Sequence, residues 1–163
     1  MNKIVKRSDK LAFFGVLNAE GVVTYHRMKG FNEIATKKSP IEYSRQYVDQ
    51  EFEQSDVVGY SPSISYSFDQ FSDNAVHNDL VDIADRELVG MEAVRSIIMV
   101  DLSRADDNGS CPAVKREFSV ICDSEGNSME VYTYSGTLKV KGEKVFGSAV
   151  SGDDWETCSF TEA

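Results

Sequence analysis

The sequence predicts one mostly-β domain, a β-sandwich or partial barrel with one packed α-helix and a long inter-strand loop at about 31–62. Three observations predict it. Several stretches alternate apolar and polar residues with a period of two, as half-buried strands do. One stretch, at about 75–88, carries its apolar residues at helical spacing instead. The length of 163 residues with 41% hydrophobic content suits a single core, and a chain of that size buries roughly 70% of its unfolded surface.

The elements follow in order. "LAFFGVL" (11–17) and "VVTYHRMKG" (22–30) read as strands joined by the turn "NAEG". Residues 31–62 hold strand-like pieces at Phe31–Ala35 and Glu42–Val48, an acidic stretch, then Gly59 and Pro62, and read as an excursion between strands. Long ordered loops in compact domains tend to be functional or mobile. "SISYSFD" (63–69) is a strand with Ile64, Tyr66 and Phe68 on a dry face and Ser63, Ser65, Ser67 and Asp69 on a wet one.

The helix comes next. Asp73 or Asn74 caps it, Val76, Leu80, Ile83 and Ala84 form its apolar stripe, and Gly90 lies past its end. Asp79, Asp82, Asp85 and Glu87 are expected in water on the opposite surface. "AVRSIIMVDLS" (93–103) is apolar on both faces, which predicts a strand covered on both sides, one of them by the helix. "AVKREFSVIC" (113–122), "VYTYSGTLKVK" (131–141), "KVFGSAV" and "DDWETCSF" complete the strands, with "DSEGNS" as a turn. In 131–141, Tyr132, Tyr134, Leu138 and Val140 oppose Thr133, Ser135, Thr137 and Lys139.

Composition excludes several function classes. No apolar run approaches the ~20 residues of a membrane helix, and the basic opening "MNKIVKRSDK" is not followed in signal-peptide fashion, so folding in a cytoplasm is expected. Cys111, Cys122 and Cys158 form no CxxC pair, and read as two strand thiols and one loop thiol. The net charge of −10 argues against a nucleic-acid binder. Its distribution is uneven: +5 over 1–45, −11 over 46–107 and −4 over 108–163. Opposite patches of this kind can be a solvated accident, or can steer copies of one chain together.

No reaction chemistry is legible, so no enzyme, metal or cofactor is expected. "GYSPS" (59–63) lacks the second glycine and following helix of a nucleophile elbow, and neither GxGxxG nor GxxxxGK[ST] occurs. His77 reads as a surface histidine. Asp79, Asp82 and Asp85 are too far around a helix to converge on a cation, and "ADDNGS" (105–110) reads as a turn rather than a calcium loop. Tyr132 and Tyr134 have no basic groove beside them for stacking bases, and read as core or interface.

Three stretches carry a family resemblance: "IEYSRQYVDQEFEQSDVVGYSPSISYSFDQ" (41–70), "AVHNDLVDIADRELVGMEAVRSIIMVDL" (75–102) and "SGTLKVKGEKVFGSAVSGDDWETCSF" (135–160). The chain resembles the tail tube proteins, or major tail proteins, of phages and prophages of Gram-positive bacteria. That resemblance implies a β-sandwich or barrel with a flanking helix that assembles into rings, usually hexameric. The rings stack into a tube around a tape-measure protein, which leaves so that DNA can pass. It implies as partners the chain itself, the tape-measure protein and tail initiator and terminator proteins, with DNA as passing cargo and no membrane. The expected location is the virion, after assembly in the host cytoplasm. A long front loop commonly bridges adjacent rings in that family, and residues 31–62 would take that role here.

Physical reasoning adds candidate residues. Lys37, Lys38 and Arg45 of the basic front and Asp49, Glu51, Glu53 and Asp56 of the acidic middle are candidates for a contact between subunits or rings. A lumen that passes DNA should not hold phosphate, so the small hydroxyl and acidic row Ser63, Ser65, Ser67 and Asp69 is the candidate lumen face. Thr133, Ser135 and Thr137 suit that role less well, because Lys139 and Lys141 continue their row. Two other readings stand beside this one: a monomeric barrel or sandwich that binds a ligand between sheet and helix, and the tube subunit of a bacterial secretion or injection system.

Overall fold

The computed structural model describes residues 3–163. Eleven strands and one α-helix follow one another: β1 (Lys10–Leu17), β2 (Val23–Arg27), β3 (Phe31–Lys37), β4 (Pro40–Arg45), β5 (Gln54–Tyr60), β6 (Ser63–Asp69), α1 (Ala75–Asp85), β7 (Val94–Asp101), β8 (Cys111–Glu125), β9 (Thr133–Val140), β10 (Val145–Val150) and β11 (Thr157–Glu162). Nine strands form one antiparallel sheet in the order β10-β11-β2-β1-β7-β8-β9-β6-β3, and β10 also returns to pair with β8. That extra pairing closes β8, β7, β1, β2, β11 and β10 into a barrel. Strands β9, β6 and β3 extend from it as a wing.

Strand β8 makes both arrangements possible. Its 15 residues span about 50 Å, enough for two partners in series along one edge. Residues 111–115 pair with β10, and 118–125 pair with β9. Alternation then sends its odd and even residues to different cores. Cys111 and Ala113 face the barrel interior with Leu11, Phe13, Ile98 and Val100. Phe118 and Val120 face a second layer with Phe14, Ile97, Ile64, Tyr66, Phe68 and Leu138. The expectation that 93–103 is covered on both sides holds, because Ile98 lies in the barrel while Ile97 lies in the second layer.

Helix α1 closes one end of that second layer through Val76, Leu80 and Ile83. Asn74 caps it, its side-chain oxygen accepting from the backbone N–H of Val76 at 3.0 Å and His77 at 3.2 Å. The helix stops earlier than 88. Glu87 takes the left-handed conformation (φ +51°), Leu88 N–H donates to Ile83 O and Glu87 N–H to Ala84 O. This is a Schellman ending with Glu where glycine is favoured; Gly90 starts the next turn instead. Asp79 also departs from expectation. It is half-buried and paired with Arg95 of β7 at 2.7 Å, whereas Asp82, Asp85 and Glu87 are exposed.

The largest difference lies at 31–62. The excursion is more regular than expected: the strand-like piece Phe31–Ala35 lies in β3 of the main sheet, and Glu42–Val48 overlaps β4, which forms with β5 a separate two-stranded hairpin. Its alternation is invisible because β4 and β5 meet water on both faces. Smaller differences follow the same logic. Tyr132 precedes β9 and is exposed, Asp123–Glu125 continue β8 past a bulge, and all three cysteines lie on strands. No helix among the described residues is long and apolar enough to cross a membrane.

Candidate functional site

The hairpin β4–β5 is the most exposed element of the molecule. It pairs with no strand of the main sheet, and every residue of β4 and all but one of β5 are exposed. Ile41, Tyr43, Val57, Val58 and Tyr60 along the strands, and Tyr47, Val48 and Phe52 at the tip, all face water. A lone two-stranded hairpin is marginal by itself, and apolar side chains gathered on one projection mark an interaction surface. Ser39, at φ +45°, makes the bend between β3 and β4, and Ser61 N–H donates to its carbonyl at 3.1 Å.

The seven predicted interface residues divide along this projection. Lys37 and Lys38 stand at the root, Arg45 ends β4 with its guanidinium 5.6 Å from the Tyr43 ring, and Asp56 opposes Tyr43. Asp49, Glu51 and Glu53 lie in the connection 46–53 at the tip. The hairpin therefore has Lys37 and Lys38 at its root and, beyond Arg45 in the last strand pair, three carboxylates at its tip. Six paired residues separate the two ends by roughly 20 Å. Three glutamines order the tip: Gln46 Nε2 donates to Gln50 O at 3.2 Å and Gln54 Nε2 to Gln50 Oε1 at 2.9 Å.

An open cleft of about 1060 Å³ lies beside the root, at the end of the second core layer that α1 leaves uncovered. Ile64, Ile97, Met99 and Phe118 belong to its apolar lining, and Lys10, Lys38, Arg116 and Lys144 are its charged residues. Lys10 pairs with Asp101 at 3.4 Å, whereas Lys38, Arg116 and Lys144 form no ion pair among the described residues. Burial, with the nearby charges of Lys38 and Arg116, pulls the Lys144 ammonium below its ordinary value. Sequence reasoning found only Lys38 of this group. The others come from β1, β8 and the turn before β10, and no local spacing joins them.

The candidate lumen residues keep the predicted alternation. Ile64, Tyr66 and Phe68 are buried, and Ser63, Ser65, Ser67 and Asp69 are half-buried on the other face. Their neighbours come from both sides: Lys37 and Lys139 flank Ser63, Ala35 and Thr137 flank Ser65, Glu33 and Ser135 flank Ser67. Asp69 accepts from Asn32 Nδ2 at 3.1 Å, and Ser135 meets Ser124 of β8 at 2.7 Å. The structure thus places Lys37 on the serine face and Lys38, one residue later, on the cleft. This face spans four strands and ends in two open edges. β3 pairs only with β6, and past Ser119 strand β8 pairs only with β9.

His77 is fully buried, contrary to the surface position expected from its polar neighbours in sequence. Its Nδ1 accepts from Phe71 N–H at 3.1 Å, which leaves Nε2 as the donor to Lys29 O at 2.8 Å. The ring stacks on Phe68 at 4.2 Å. Burial pushes its basicity down, against smaller opposing effects of the Lys29 carbonyl and Asp69. A neutral imidazole held at both nitrogens is a structural strut with no free atom for proton transfer. Burial likewise raises the Cys158 thiol to about 12 and pushes Cys111 and Cys122 upward, so none is an activated nucleophile.

No family model matches the chain, and no curated protein matches it either. Solved structures do. A chain from the tail of an empty GTA particle, refined helically with C6 symmetry, superposes with a TM-score of 0.56 at 14% identity, covering 86% of this chain and 97% of that one. A chain from the six-fold symmetrised baseplate of the anti-feeding prophage superposes with a TM-score of 0.54 at 8% identity, covering 90% and 97%. At these identities the likeness speaks to architecture: the mostly-β fold with one packed helix is a phage tail-tube-like fold, as the sequence resemblance implied.

Proposed function

We propose that the chain is a structural subunit, with no catalytic role, that self-assembles into hexameric rings stacked as the tail tube of a phage particle, through which DNA passes. The observation that carries the reading is the projecting hairpin, whose apolar side chains are exposed and whose outer backbone edges pair with no other strand among the described residues. Open strand edges are paired in a native assembly or become sites of aggregation. The edges of β3 and of residues 120–125 in β8 bound the same four-stranded face, so a neighbour at each edge would continue it around a ring. Heterologous contacts of this kind close when the rotation allows. The C6 symmetry of the GTA tail supports six as the number.

In this assembly the half-buried serines of β6 line the lumen, with Glu33 and Asp69 toward one end of the face and Lys37 and Lys139 toward the other. Small hydroxyls give phosphate little to hold, and the few lysines leave DNA free to slide. The tape-measure protein and the tail initiator and terminator are the other partners, and the virion is the destination. The likeness to an anti-feeding prophage chain favours a second reading, the tube subunit of an injection system. Negative-stain electron microscopy of the purified protein over a concentration series tests the assembly. Hollow tubes or rings of uniform diameter are expected, and monomers at every concentration, with or without tape-measure and initiator proteins, would sink it. Nucleic acid inside purified native particles separates the phage tail from the injection system.

A further inference from the structure

Lys38, Arg116 and Lys144 put three positive charges around one apolar cleft, with no carboxylate among the described residues paired to any of them. The helix layer ends there, and over the buried Ile64, Ile97 and Phe118 the half-buried Met99 and Val114 and the exposed Tyr60 offer the cleft its accessible apolar surface. A second arginine-bearing hollow of about 550 Å³ adjoins it and shares Lys10, Thr36, Met99 and Val114. Burial and the neighbouring charges of Lys38 and Arg116 act together on the Lys144 ammonium, and an anionic occupant would neutralise such a cluster.

The same chain carries the complementary shape. The tip 46–53 presents Asp49, Glu51 and Glu53 alternating with exposed Tyr47, Val48 and Phe52, and it has no basic residue. We propose that the tip of one copy seats in the cleft of a second copy, its aromatic and valine side chains on the apolar floor and its carboxylates against Lys38, Arg116 and Lys144. The inference rests on the assembly reading and names the acceptor that reading leaves open.

Three physical points favour this occupant. Charge and polarity match in both parts, acid to base at the rim and apolar to apolar on the floor. The tip is already ordered by Gln46, Gln50 and Gln54, so little loop entropy is lost on docking. Finally, donor and acceptor lie at opposite ends of one hairpin, with roughly 20 Å of paired strand between them. A copy therefore cannot satisfy its own cleft, and the contact joins one copy to another; repeated in one direction it builds rings or stacks.

The test compares four full-length chains by sedimentation and electron microscopy: the parent, Lys38→Glu/Lys144→Glu, Asp49→Lys/Glu51→Lys, and the chain carrying all four changes. Each pair alone should lower the assembled fraction by about tenfold, since like charges then face each other, and the combined chain should recover tubes. A combined chain as defective as either pair, with parental circular dichroism and melting, overturns the inference.

A disulfide test covers the case in which charge reversal upsets the fold. Chains carrying Val48→Cys and Thr36→Cys, each with Cys122→Ser, are mixed and oxidised in assembling conditions. A cross-linked dimer that forms only in the mixture is expected. Parental tubes without that cross-link overturn the cleft and leave the assembly reading standing. A parental chain that never assembles defeats both.

Discussion

The barrel-and-helix body and the β4–β5 hairpin differ in what each side chain has to hold. In the body, Phe13, Phe14, Phe68 and Leu138 are wholly buried, and even the polar His77 has both nitrogens bonded. In the hairpin, side chains of the same chemistry, Tyr43, Phe52 and Val58, stand in water. The difference teaches where stability resides and where association resides. Body residues lower the energy of the monomer, whereas under the proposed assembly hairpin residues would gain burial only against a neighbouring copy. Substitutions should therefore separate cleanly into two classes, those that move the melting temperature and those that move assembly.

The largest expected contrast is between two phenylalanines. Phe68→Ala removes a ring from the stack with Tyr66, Tyr134 and His77, and should cost about 3–5 kcal/mol in urea unfolding. Phe52→Ala removes an equal ring from the tip and should change monomer stability by less than about 0.5 kcal/mol, while lowering the assembled fraction. Equal losses in both variants would break the division.

His77→Ala should follow, at about 2–4 kcal/mol, because it opens a cavity and strands Phe71 N–H and Lys29 O. The ring also predicts a pH response. Its basicity is depressed in the fold, so its contribution is full above the unfolded value of about 6.5 and is lost as pH falls through the lower folded value. Melting curves of the parent against His77→Ala should therefore converge on acidification below neutrality. A gap that widens toward acid would contradict the neutral, doubly bonded imidazole.

Gly136→Ala should cost about 1–3 kcal/mol. A Cβ there would lie 2.2 Å from Ile121 O and 2.7 Å from the Tyr66 hydroxyl, so β8 or the tyrosine must move. A Gly136→Ala chain that melts with the parent would show that this close approach is soft. Gly126→Ala makes a poorer control, because its φ of +73° strains any side chain regardless of space.

Legibility in the sequence follows the same division. The strand 63–69 was readable because one face is dry and the other half-wet, and 93–103 because both faces are apolar. Helix α1 was readable from its stripe and from Asn74, though its end depended on a glutamate accepting a left-handed φ. Of the hairpin only Glu42–Val48, overlapping β4, was readable as strand-like; β5 was not, since residues wet on both faces carry no period. His77 was misplaced because burial comes from Phe31, Phe68 and Phe71, and the first of these is far away in sequence. The acidic tip was legible as a charge run, but its acceptor cleft was not. The turn at Gly142 supplies a carbonyl that holds Arg116 at 2.7 Å, and only the fold brings that arginine beside Lys38 and Lys144.

The smallest effect on the monomer should accompany a complete effect on the assembly. Reversing Asp49, Glu51, Glu53 and Asp56 to lysine touches four exposed side chains that form no ion pair among the described residues. The change in melting should correspond to less than about 0.5 kcal/mol per site. Packing is unaltered, because all four side chains are exposed. Tubes, however, should fail to lengthen, since a positive tip then approaches basic roots on every neighbour and like charges set face to face repel. Raising the salt concentration should ease that repulsion over a Debye length of about 3 Å at 1 M, and tube growth should recover in part. Tubes of normal length from the quadruple variant at low salt would remove the hairpin tip from the interface, and would leave the open edges of β3 and β8 as the contacts that carry the ring.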